Sequence, residues 1–254
     1  MSAAAEPTRA EVCAVACAEA WRGDGEILAS PIGLVPTIGA RLARATFSPD
    51  LLLTDGEAAL GVGTWPVGGS PAQTEGALPF RQIFELIWSG RRHVMMGPGQ
   101  IDRYGNINIS AIGDFHRPKV ALLGVRGAPG NTVSHPCSYW VPRHSRRTFV
   151  EQVDLVCGIG YDRAASAGPS AARFHQLRRV VSDLGVFDFT GPDHRMRLVS
   201  THPGVTVEQV HEATGFELWT GGEVPQTRLP TAQELTLIRT VIDPAGHRDT
   251  EVRR

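Results

Sequence analysis

The chain lacks most of the features that announce a membrane, a cofactor or a disulfide scaffold. None of its 254 residues falls in an uninterrupted apolar run approaching the roughly 18 residues of a membrane span. The opening Met1-Ser2-Ala3-Ala4-Ala5-Glu6-Pro7 has neither the basic start nor the long apolar stretch of a secretory signal. Both absences predict a cytoplasmic protein that does not enter a membrane. Four cysteines are too few and too irregularly spaced for a disulfide framework. Cys13 and Cys17, four residues apart in an alanine-rich segment, read as thiols buried on one helical face. No Cys-x-x-Cys pair and no His-Glu-x-x-His spacing is present, so no metal centre is predicted. Without a Walker sequence or a Gly-x-Gly-x-x-Gly turn opening a helix, neither ATP nor NAD is supported as a cofactor. Ser134-His135-Pro136-Cys137 lacks the Gly-x-Ser-x-Gly elbow of a serine nucleophile. With 25 basic against 26 acidic residues, no global field draws the chain to nucleic acid or to an anionic surface.

What is present is an apolar fraction of 42%, enough for a sizeable core in a chain of this length. The pattern predicts one α/β domain over residues 1–243, with an open, mainly parallel sheet flanked by helices, and a flexible polar tail over 244–254. An alanine-rich helix is predicted over residues 6–22, a strand over 26–30 and a second helix through Ile38 to Ala45. Asp50-Leu51-Leu52-Leu53-Thr54 is apolar at strand length and predicts a mid-sheet parallel strand. Residues 61–76 predict a loop, and 80–89 a helix turning Ile83, Phe84, Ile87 and Trp88 inward. Further strands are predicted at Val94-Met95-Met96, 119–125, 155–160 and 179–187, and a late helix at 207–214.

Two glycine loops carry the candidate chemistry. The first, Gly97-Pro98-Gly99-Gln100-Ile101-Asp102-Arg103-Tyr104-Gly105-Asn106, offers the N–H groups of Gly97, Gly99 and Gly105, with Asp102 and Asn106 beside them. The second, Arg126-Gly127-Ala128-Pro129-Gly130-Asn131, offers Gly127, Gly130 and Asn131 next to a cation. If both follow buried parallel strands, they meet at the carboxyl edge of the sheet, where such folds bind ligands. A plain turn is the alternative for either. Asp55 and Glu57 occupy a position suited to an acid, base or nucleophile, although Asp55-Gly56 is equally the dipeptide of a solvated turn. Arg143, Arg146 and Arg147 form a local basic run suited to phosphates, to solvent or to a partner.

Three segments together resemble the beta subunit of the family I coenzyme A transferases, of the glutaconate or 3-oxoacid type. They are Leu51 to Gly63, Gln100-Ile101-Asp102-Arg103-Tyr104-Gly105-Asn106-Ile107-Asn108, and the closing Val180 to Phe187, Pro203 to Val210 and Ala213-Thr214-Gly215-Phe216. The resemblance implies the coenzyme A transferase (NagB/RpiA-like) fold and an alpha-subunit partner in an αβ or α2β2 complex. It also implies a coenzyme A thioester as substrate, with no separate cofactor. Transferases of this family carry coenzyme A on a beta-chain glutamate. Here the matching position falls on Gly56, or on Asp55 in a shorter alignment, one methylene short of glutamate. The family group without this glutamate comprises two-subunit hydrolases that open the last ring in bacterial steroid degradation. Similarity to them implies C–C hydrolysis of a cyclic β-keto (6-oxocyclohexene carboxyl) thioester, with the catalytic carboxylate on the alpha subunit. Arg126 would then hold an oxyanion or a substrate carboxylate. A transferase working through Asp55 or Glu57 and a non-catalytic stabilising subunit are the alternatives.

Overall fold

The computed structural model describes residues 6–54 and 58–252. Its centre is a six-stranded sheet in which Leu28–Pro31, Arg92–Met96, Pro136–Val141 and Gln176–Ser182 pair in parallel, in that order. Gly185–Asp188 and Arg197–Thr201 extend it antiparallel. The mainly parallel α/β sheet is the architecture that the sequence pattern predicts.

Side-chain alternation along the strands separates two cores. Met95, Trp140 and Val181 point to one face, where they join the helices Arg9–Glu19 and Leu34–Thr46. Val94, Met96, Tyr139, Val141 and Val180 point to the other, with Ile101, Ile107, Phe149 and Phe187. The Arg9–Glu19 helix starts at a capping box between Thr8 and Glu11. Its small residues admit a close helix crossing: a Cβ on Gly39 would lie 2.9 Å from the Ala14 carbonyl. Cys13 and Cys17 are fully buried thiols, as their spacing predicts.

Several predicted elements are differently placed. Leu51-Leu52-Leu53 lies outside the Leu28–Pro31 strand, bridged to it in parallel at Leu52, and not in mid-sheet. Its apolar run is explained by Leu51 and Leu53, which are buried in the core. Residues 119–125 form no buried strand; Val120–Ala121 is half of an exposed two-residue ribbon with Ala111–Ile112. The strand that fills that place is Pro136–Val141, which opens on a proline and a cysteine and carries no alternating pattern. Residues 155–160 make only an isolated bridge, Ile107 to Gly158. Within 61–76, Thr74 to Gly76 belongs to a hairpin between Ala59–Gly61 and Thr74–Ala77. The described part of the carboxyl-terminal segment predicted to fray, up to Val252, is packed: Val252 is buried, and Glu251 accepts a 2.7 Å bond from the Val35 N–H at the start of Leu34–Thr46.

Buried histidines tie the late elements to the sheet. His144 stacks on Phe149 at 3.6 Å and bonds Ser182 Oγ and Thr214 Oγ1, each at 3.0 Å. His202 Nε2 donates to the Ser182 carbonyl at 2.8 Å. Burial pushes His144 down to about 3 and His202 down to about 4. Both are neutral in the fold and take up a proton more readily when unfolded. Their stabilising contribution is therefore complete above pH 6.5 and declines as pH falls through that value toward the folded pKa. The expected loss is about 1.4 kcal/mol per pH unit for each histidine. Urea unfolding between pH 7.5 and 5 should show this slope, and His144→Asn should flatten it; a slope unchanged by that substitution would contradict the assignment.

Candidate functional site

The parallel strands end together, and a cavity opens where they do. Met96 closes the Arg92–Met96 strand and passes the chain to Gly97-Pro98-Gly99. Gly97, Gly99, Leu122 and Trp140 line a cavity of about 620 Å³ with Glu251 at its margin. A Cβ on Gly99 would lie 2.7 Å from Leu122 Cδ1, so glycine admits the exposed ribbon against the loop. A second cavity of about 430 Å³ lies beside the edge strand, lined by Ser30, Thr37, Arg41, Thr54, Phe80 and Arg92. Ile32 lines both cavities and is half exposed, so the two are neighbours.

The Phe80–Trp88 helix flanks the second cavity, but its apolar face is turned out. No residue of the helix is buried, and Phe80, Phe84 and Trp88 are 76%, 52% and 84% exposed. The inward packing predicted for Phe84 and Trp88 is therefore corrected; Ile83 and Ile87 are only partly covered. Periodicity marks an apolar face, and it cannot distinguish the chain's own core from a surface awaiting another protein.

Asp102 and Asn106 are brought together, away from both cavities. The Asp102 carboxylate accepts the N–H groups of Tyr104 and Asn106, each at 3.0 Å, and the Asn106 amide at 2.8 Å. Asn106 also donates to Asp162 at 2.8 Å and accepts the Gly160 N–H at 2.7 Å. Burial raises the Asp102 carboxyl above its ordinary pKa, against the pull of its donors. These residues line neither cavity; they lock the loop to the 157–162 segment. Gly105 sits at the apex with φ 86° and touches the core: a Cβ there would lie 2.4 Å from Leu177 Cδ1.

The second glycine segment is a loop only as far as Gly127 and follows no buried strand, because Ala128–Ser134 is a short helix and Val120–Ala121 is exposed. It is exposed at Arg126 and Gly127, half-buried at Gly130 and buried at Asn131. Arg126 has φ 51°, a left-handed conformation that costs a non-glycine residue roughly 1–2 kcal/mol. It makes no hydrogen bond or ion pair among the described residues. Gly127 and Gly130 line neither of the two cavities. Asn131 Oδ1 accepts from Arg92 Nη1 at 2.8 Å and lies 3.2 Å from His135 Nε2, so this side chain positions other protein groups. Asp55, Gly56 and Glu57 lie outside the described residues. Arg143 and Arg147 are exposed, and Arg146 donates to the Glu212 carbonyl at 2.7 Å. Arg92, Arg41 and Ser30 were not legible as site residues, because nothing in a strand or helix pattern shows which polar side chain will face a cavity.

A family model for coenzyme A transferase matches residues 16–213, and the chain belongs to that family. Among curated relatives, it is 58% identical over 248 residues to the cholesterol ring-cleaving hydrolase IpdB subunit of Mycobacterium tuberculosis H37Rv, covering 97% of this chain and 99% of that one. Its fold is similar to a chain of the Rhodococcus jostii RHA1 IpdAB crystal structure, with TM-score 0.94 and 54% identity across 98% of this chain and 100% of the other. Glutaconate coenzyme A-transferase from Acidaminococcus fermentans is similar at TM-score 0.81 and 26% identity, over 94% and 96% of the two chains.

Gly105→Ala should cost about 2–3 kcal/mol through strained φ and overpacking against Leu177 and Phe189. Chemical denaturation checks this; a variant as stable as the parent would remove the structural role assigned to the turn.

Proposed function

We propose that the chain is the beta subunit of a heteromeric hydrolase that opens a cyclic β-keto coenzyme A thioester during cholesterol ring degradation, working beside a coenzyme A transferase-like alpha subunit. The observation that carries this reading is end-to-end similarity to an IpdB subunit, 58% identical over 97% of the chain, joined to a TM-score of 0.94 with the IpdAB structure. In this reaction water adds to the ring carbonyl and the adjacent C–C bond breaks. The electron pair passes to the thioester as an enolate and is then protonated. The oxygen of water ends in a new carboxylate and coenzyme A stays attached, so coenzyme A belongs to the substrate and no separate cofactor is required.

The base that activates water is assigned to the alpha subunit. This chain supplies walls and donors: the Gly97 to Gly99 turn beside an apolar cavity, and Arg126 with the N–H groups of Gly127 and Gly130 for an oxyanion or carboxylate. The left-handed backbone of Arg126, and its lack of a hydrogen bond or ion pair among the described residues, support that role. We assign the exposed Phe80–Trp88 face to the alpha subunit, because Phe80 also lines the cavity next to the one edged by Gly97 to Gly99, where a partner's carboxylate has to reach. Cytoplasmic location is in keeping with four free, buried thiols.

The reconstituted pair, given the cyclic thioester in oxygen-18 water with an acceptor acid present, should place label in a new carboxylate with coenzyme A retained. Coenzyme A on the acceptor would instead establish transferase chemistry and direct attention to Asp55 and Glu57. Arg126→Ala should lower kcat about 100-fold with the complex intact by gel filtration; unaltered turnover would leave this chain a stabilising role only.

Phe84→Glu is expected to leave the isolated chain's stability within about 0.5 kcal/mol, since the side chain is exposed. Association with the alpha subunit should weaken by about 2 kcal/mol or more, read by sedimentation of the mixed subunits. Unchanged association would place the interface elsewhere.

A further inference from the structure

Two arginines face the smaller cavity without a counterion among the described residues. Arg92 begins the second strand of the sheet, and its Nε donates to Ser30 Oγ at 2.9 Å while Nη1 donates to Asn131 Oδ1 at 2.8 Å. Those bonds fix the guanidinium plane and leave Nη2 without a partner among the described residues. Arg41, on the Leu34–Thr46 helix, donates to the Trp65 carbonyl at 2.9 Å and lies 4.7 Å over the Trp65 ring. Neither forms an ion pair, and no acid lines the cavity they share, among the described residues.

Several other arginines of the fold are instead matched to carboxylates. Arg248 pairs with Glu11 and Asp243, Arg178 with Asp24, Arg197 with Asp188 and Arg228 with Glu234. Burial lowers the pKa of Arg92, and pushes that of Arg41 down to about 10, the response of a cation removed from water without an opposing charge. A desolvated guanidinium is costly unless an anion joins it. The remaining walls mix apolar side chains, Leu28, Leu53, Phe80 and Ile83 among them, with the hydroxyl residues Ser30, Thr37 and Thr54. A cavity with partly hydrocarbon walls and two guanidiniums that have no ion pair among the described residues fits a small amphiphilic acid. Its volume of about 430 Å³ suits the acyl part of a thioester better than a whole nucleotide.

We propose that this cavity binds a carboxylate on the acyl part of the substrate or product, with Arg92 as its hydrogen-bonding anchor and Arg41 as a second positive charge. The identity of the acid rests on the hydrolase reading; the existence of the anion site does not.

The test uses the reconstituted alpha–beta complex and two probes, glutarate for a small dicarboxylic acid and adenosine 3′,5′-bisphosphate for the nucleotide of coenzyme A. Glutarate should protect the wild-type complex against heat in a saturable manner. Arg92→Gln should raise the half-saturating glutarate concentration at least tenfold, Arg92→Lys should raise it less, and Arg41→Gln should raise it several-fold. The bisphosphate response should stay the same in all of them. Absence of saturable protection by glutarate, or the same glutarate response in wild type and Arg92→Gln, would overturn the proposal. So would loss of the bisphosphate response alone, which would assign the arginines to coenzyme A phosphates. Should Arg92→Gln fail to assemble, Arg92→Lys and Arg41→Gln carry the same test. The probes need no turnover, so failure of oxygen-18 incorporation would count against the hydrolase reading and leave this result standing.

Discussion

Parallel pairing of four strands is the constraint from which the rest of the molecule follows. Parallel neighbours cannot be joined by tight turns, so the chain returns over the faces of the sheet between strands. Those returns bury both faces and divide the core in two, with Met95 and Trp140 on one side and Val94 and Tyr139 on the other. The registers of Pro31 with Met95, Met96 with Tyr139, and Val141 with Ser182 bring every carboxyl end to one edge. The Gly97 to Gly99 turn and the cavity it lines are products of that common edge.

Within the fold the charges of the interior are distributed unevenly. Asp102 is enclosed by N–H donors and the Asn106 amide, and His144 and His202 are held neutral by burial. Most half-buried arginines meet carboxylates, whereas Arg41 and Arg92 meet neutral groups at a cavity. Polar groups satisfied within the chain stabilise the fold, and those left open mark where chemistry or a partner enters. The outward apolar face of Phe80–Trp88 belongs with the second kind, and together they describe one half of a cleft.

Strands buried on both faces were legible where β-branched and apolar residues run together, as in Val94-Met95-Met96 and Val180-Val181. Pro136–Val141 was not, because a proline, a cysteine and a serine interrupt its pattern although the strand pairs on both sides. The apolar run around Leu122 had the opposite fate: it resembles a buried strand and lies exposed beside Gly99. Apolar composition records that a residue avoids water in the finished assembly, and assembly includes other chains. The same ambiguity misplaced Phe84 and Trp88. Of the first glycine loop, the turn at Gly97 to Gly99 was recognisable as a cavity edge, while the internal use of Asp102 and Asn106 depended on Gly160 and Asp162, more than fifty residues away.

The sequence by itself determined the α/β class, the capped helices, the buried thiols and the family, because each rests on local periodicity, short-range hydrogen bonding or an ordered set of motifs. Only the tertiary structure decided which polar groups are satisfied. Asp102 and Arg92 are both charged residues beside apolar strand segments, and nothing local separates them. One is closed by a loop's own amides and the other is opened to a cavity by the meeting of an edge strand, two helices and the Leu51 to Thr54 segment. Desolvation and the supply of partners are set by atoms distant along the chain, and folding is the step that brings them together.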